Sequence, residues 1–187
     1  MFAPPIHIHD GESETSLLII YTGGTLGMMY DQTKKVLVPF KFENILENIP
    51  EIRRLKASLT VLPFSSPIDS SNIYPEVWIE LAKVIHQHYE AYDGFIIIHG
   101  TDTMAYSASA LSYLLENLNK PVIFTGSQLP IGAARTDARE NIITSLEIAS
   151  AKKDGKAIIQ DVCIFFNNFL LKGNRAKKVE KIGRAHV

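Results

Sequence analysis

Two short segments of this chain carry residue types suited to acyl-transfer chemistry. Thr22-Gly23-Gly24-Thr25 and His99-Gly100-Thr101-Asp102-Thr103 both set hydroxyls beside glycines, and the second adds a carboxylate. A threonine hydroxyl is a poor nucleophile until a base takes its proton. Asp102 beside Thr101, together with a lysine tuned by burial or a neighbour, can supply that base. Spacing alone selects no lysine. Each segment also has a plain structural reading. Gly23-Gly24-Thr25 fits a tight strand-to-helix turn as well as a close backbone approach to a ligand. A dinucleotide site is disfavoured, because the G-x-G-x-x-G spacing is absent. Thr101 or Asp102 can simply cap a helix starting near Met104, and capping does not exclude catalysis at the polarised end of a helix. His99 reads as a hydrogen-bonded, half-buried strand residue rather than a base. His7 and His9 lack a third ligand nearby, so no metal is expected.

The elements that must position these groups follow from hydropathy. Continuous apolar runs at 17–21, 59–62, 95–98, 122–124 and 162–166 show no polar alternation, which predicts strands covered on both faces, as in a parallel sheet. Helical periods lie between them. One begins at Pro75, a good first-turn residue, with Val77, Trp78, Leu81, Val84 and Ile85 on one face. A second runs from about Met104 to Leu118, and a third from about Arg139 to Ala151. Strand and helix in alternation predict an α/β fold: a mostly parallel sheet sandwiched by helices, in three layers. Ligands of such sheets bind beyond the carboxyl ends of the strands. Thr25, the Asp69-Ser70-Ser71 loop, Thr101 with Asp102, and Ser127 are therefore expected to converge on one cleft.

Composition narrows the partners. The chain has 187 residues and a formal net charge of -1, with 19 Lys and Arg against 20 Asp and Glu. That balance gives no electrostatic reason for a nucleic acid or an anionic membrane as partner. Cys163 is the sole cysteine, so no intrachain disulfide can form, and its apolar neighbours suggest a small core residue. Residues 1–16 are polar and contain prolines, and are read as a flexible leader without signal-peptide character. No apolar run is long enough to span a bilayer. A cytoplasmic location is expected.

The chain resembles the asparaginase family, its cytoplasmic (type I) branch in particular. The resemblance rests on Thr22 to Gly27, Asp69 to Asn72, His99 to Tyr106, Lys120 to Gln128, Phe165 to Asn168, and Gly173-Asn174-Arg175, in the family's order. It implies an amidohydrolase acting on L-asparagine without a cofactor. Thr25 corresponds to the nucleophile that forms a β-aspartyl enzyme. Thr101, Asp102 and Lys178 correspond to a relay that activates a hydroxyl or water. Gly24, Asp69, Ser70 and Ser71, again with Thr101 and Asp102, correspond to the groups around the substrate. Lys178 follows Lys177 where the family usually has a threonine. A tyrosine common in the family's mobile loop aligns with Leu37, and Tyr30 has the wrong offset. The resemblance further implies residues 17–180 as the catalytic domain, a second, smaller α/β domain beyond this sequence, and assembly as a homodimer or homotetramer. Residues 181–187 depart from the family pattern and are read as an artefactual tail. Two other functions are weighed beside hydrolysis of free asparagine: an ammonia-releasing subunit of a tRNA-dependent amidotransferase, and a non-catalytic amino-acid-binding paralogue.

Overall fold

A computed structural model describes residues 1–10, 15–31, 33 and 35–179, without the side chains of Leu37 and Glu43. In chain order the elements are β1 (Ile6–His9), β2 (Ser16–Tyr21), β3 (Met28–Asp31), β4 (Val36–Pro39), α1 (Ile45–Asn48), β5 (Ser58–Pro63), α2 (Pro75–His88) and β6 (Gly94–Ile98). They continue with α3 (Met104–Leu114), β7 (Val122–Thr125), α4 (Ala138–Ser150), β8 (Lys152–Lys153), β9 (Lys156–Ala157), β10 (Val162–Phe166) and β11 (Phe169–Lys172). Seven strands form one sheet in the order β1-β5-β2-β6-β7-β10-β11. The five inner strands are parallel, and β1 and β11 close the edges antiparallel. This is the expected α/β architecture.

The absence of polar alternation in the inner strands has a direct physical cause. Leu17, Ile19 and Tyr21 point to one face, where they meet Ile142, Leu146 and Ala149 of α4. Leu18 and Ile20 point to the other, with Val77, Leu81 and Ile85 of α2 and Ala108 and Leu111 of α3. Each strand residue thus enters one of two cores, so both strand faces must be apolar.

Two sequence expectations change. The predicted leader is not loose over residues 6–9. These form β1, pairing Ile6 with Val61 and His7 with Thr60, and Ile8 is only 9% exposed. Isoleucine alternating with histidine provides the period-two face that an edge strand needs. His9 Nε2 donates to Leu55 O, and His7 meets Asp10 at 2.8 Å. The helix predicted to reach Leu118 ends at Leu114, and Asn117 at φ 55° turns the chain toward β7. The tail at 181–187 lies outside the described residues.

Strand order also marks where a ligand belongs. After β2 the chain moves to β5 on one side of it, then crosses to β6 on the other. The loops leaving β2 and β6 diverge at that point and leave a crevice at the carboxyl end of the sheet.

Candidate active site

Three loops meet at this crevice, and Thr22 ties them together. Its N–H and its hydroxyl both donate to Ile98 O at the end of β6, while its carbonyl accepts from Ile68 N beyond β5. The backbones then touch. Gly24 has φ 88°, and a Cβ there would lie 2.6 Å from Gly100 N. A Cβ on Gly100 would lie 2.4 Å from Ser70 Oγ. Only glycine permits this approach, and it is the approach that brings Thr25 and Thr101 to one wall.

Gly24, Thr25, Asp69, Ser70, Thr101 and Asp102 all line a single cavity of about 560 Å³, with Ser66, Pro67 and Ile68 completing one side. Ser70 is buried. Its hydroxyl accepts the Asp102 N–H at 3.3 Å, and its carbonyl accepts the Thr103 hydroxyl at 2.6 Å. Ser71, expected beside Ser70, is exposed and turned to Asp69, donating its N–H at 2.9 Å and its hydroxyl at 2.8 Å. Those bonds, the N–H first, hold the Asp69 carboxyl below its ordinary range. An ionised acid therefore stands at the cavity's edge.

Lys178 arrives from beyond β11. Its side chain is 18% exposed, and its stem shares a small apolar hollow with Met104, Ile164 and Phe166. The ammonium end reaches Asp102 Oδ1 at 2.8 Å and Thr101 Oγ1 at 3.2 Å. The chain thus brings together a hydroxyl, an amine and a carboxylate from residues 77 positions apart. By contrast, Thr25 has no side-chain hydrogen-bond partner among the described residues.

The profile of the asparaginase N-terminal family matches residues 16–186. This chain belongs to the asparaginase family. L-asparaginase 1 of Escherichia coli is 43% identical over 169 residues, which cover 90% of this chain and 48% of that protein. The 60 kDa lysophospholipase of Mus musculus is 41% identical over 190 residues, covering 89% of this chain and 32% of that protein. The crystal structure of L-asparaginase I from Vibrio cholerae superposes with a TM-score of 0.81 at 40% identity, over 93% of this chain and 51% of that one. The asparaginase-family domain described here spans about half the length of the bacterial relative and about a third of the mouse one.

Other expectations about the site divide. Ser127 does not reach the cleft; it is buried and donates to Leu129 O at 2.6 Å. Its neighbour Gln128 does not line the cavity either, but its Nε2 donates to the wall residue Thr101, 3.4 Å from Oγ1. Asp137 holds that loop by accepting the N–H groups of Gln128 and Leu129. Nothing in the local sequence separates Ser127 from Gln128, because only the turn after β7 decides which side chain reaches Thr101. Tyr30 is on β3, about half exposed, and is absent from the cavity wall; the side chain of Leu37 lies outside the described residues. Among the described residues no group of three His, Cys, Asp or Glu could hold a metal, and no helix is long and apolar enough to cross a membrane.

Proposed function

We propose that this domain hydrolyses the side-chain amide of L-asparagine to L-aspartate and ammonia. The reading is carried by one observation: two threonines share a cavity, and one of them touches a Lys178–Asp102 ion pair. Thr25 Oγ1 attacks the carboxamide carbon, its proton passing through the relay to the departing nitrogen, which leaves as ammonia. Water then attacks the β-aspartyl ester and releases aspartate and the free hydroxyl. Ser70 and backbone N–H groups suit the substrate α-carboxylate, and Asp102 suits the α-ammonium. N–H groups near Thr25 or Thr101 stabilise the oxyanion, commonly a large contribution. Cytoplasmic location and assembly as a homodimer or homotetramer belong to the same proposal. Tyr106, Tyr113 and Phe169, each more than half exposed, provide apolar surface for such contacts.

A second assignment of the nucleophile has its own support. Lys178 contacts Thr101 and not Thr25, so Thr101 is the hydroxyl with a proton acceptor already beside it. Quenching the enzyme with asparagine and mapping the acylated peptide by mass spectrometry separates the two. A β-aspartyl adduct on Thr25 is the expected result. Thr25→Val and Thr101→Val should each lower ammonia release by about 10³-fold or more, a scale set by loss of a nucleophile or its activator. Full activity in both variants ends the proposal. A lysophospholipid serves as counter-substrate, given the mouse relative's name. The Asp69 and Asp102 carboxylates on the wall argue for an amino-acid substrate, and fatty-acid release without ammonia would reverse that.

A further inference from the structure

His99 is the first residue past β6 and is 1% exposed. It does not line the cavity, yet its bonds end at the loop that does. Its Nδ1 lies 2.6 Å from Gly100 O, which can only accept, so Nδ1 carries the proton. Its Nε2 lies 3.0 Å from Ser107 Oγ on α3. Ser107 Oγ also receives the Trp78 indole N–H from α2 at 2.9 Å, which leaves its own hydroxyl proton for Nε2. Phe124 of β7 packs against the ring at 5.8 Å. The bonding is complete only with a neutral ring in one tautomer.

Gly100 explains what this chain of bonds is for. Close packing on Ser70 and Gly24 leaves no room for a side chain there, so residue 100 can be held only through its backbone, and its carbonyl is the group that His99 reaches. The Gly100–Thr101 peptide sets the direction of Thr101 and, one residue on, of Asp102. We propose that His99 is a positioning residue for the hydrolysis proposed above: its Nδ1–H clamps the Gly100 carbonyl, so that Thr101 and Asp102 both meet Lys178. The inference rests on that reading for its catalytic consequence, though not for its geometry. Trp78 and Ser107 anchor the ring from two helices, which makes the clamp part of the rigid core rather than of the loop.

Two substitutions separate the ring's two ends. His99→Asn puts an amide N–H near the place of Nδ1 and keeps the bond to Gly100. His99→Gln puts its amide near Nε2, keeping Ser107 and losing Gly100. In the full chain, His99→Gln is expected to lower kcat by about 10²-fold with KM little changed, the scale of a misplacement near 1 Å. His99→Asn is expected to rescue kcat to within about tenfold of the parent. Equal kcat loss in both variants, or equal loss of melting temperature with kcat unchanged, assigns His99 a structural role and overturns the proposal. Ring ¹⁵N shifts of the unmutated protein at pH 7 are expected to show a protonated Nδ1 and a bare Nε2; the opposite tautomer, or a charged ring, also overturns it. If the parent releases no ammonia from asparagine, the hydrolase reading fails by itself. Hydrogen exchange at the Thr101 and Asp102 amides then decides the clamp: protection kept with Asn and lost with Gln supports it, and no difference refutes it.

Discussion

Lys178 serves two purposes at once, and a single substitution separates them. Its side chain, 18% exposed, lines an apolar hollow with Met104, Ile164 and Phe166, while its Nζ joins Thr101 to Asp102. Lys178→Met keeps the stem and removes the charge. Ammonia release is expected to fall by about 10²- to 10⁴-fold, the usual contribution of a positioned acid or base. The melting temperature should barely move, because a long side chain reaching water contributes mostly through its packing. A variant with parental kcat would remove Lys178 from the relay. At this scale the sequence went far in naming parts: Thr25, Thr101 and Asp102 stood out by type and by their place after apolar runs. Residue type and spacing could not choose a lysine; Lys178 was indicated only by the resemblance to the asparaginase family. Charge has no periodicity, and the separation of 77 positions between Thr101 and Lys178 is closed only by β10, β11 and the turn at Gly173–Arg175 packing back on α3.

The elements were more legible than the groups they carry. β10 spans residues 162–166 as read from hydropathy, and α2 starts at Pro75 as its first-turn chemistry requires. β1 was missed because four residues of mixed polarity between prolines and a polar stretch resemble a leader; only the exposed edge of β5 gives them a partner. The contact between loops belongs to the same scale. Gly24→Ala forces a side chain into φ 88° and into the Gly100 backbone. It is expected to cost about 1–3 kcal/mol in strain and to part Thr25 from Thr101. Urea unfolding together with ammonia release tests both effects. A stable, fully active variant would show that the two loops need not touch.

Over the whole molecule, pH dependence follows from burial. Burial lowers His99 from its ordinary 6.5 to about 4, only partly opposed by its bond to Gly100. The unfolded chain therefore binds a proton that the folded one refuses between those values. Stability from this residue is complete above about pH 6.5, falls as pH drops toward 4, and levels off below. The loss is about 3 kcal/mol at 1.36 kcal/mol per unit. Asp93 adds a second decline at lower pH. Burial alone would raise its carboxyl, but the Ser16 N–H and Lys152 hold it below the ordinary 3.8, so its contribution disappears as pH falls below that value. Chemical denaturation from pH 8 to pH 3, with His99→Asn as reference, should show the first decline only in the parent. Parallel curves would mean that His99 is not buried neutral.

What the sequence determined by itself was the layered α/β plan and the kinds of groups at its strand ends. Hydropathy, helix starts and glycine placement are local properties that a linear chain displays openly. The tertiary structure alone decided which of those groups meet: Gly24 against Gly100, Lys178 against Thr101, Gln128 in place of Ser127, and His99 behind the loop. Such contacts depend on strand order and close packing, and neither is encoded in any short stretch of residues.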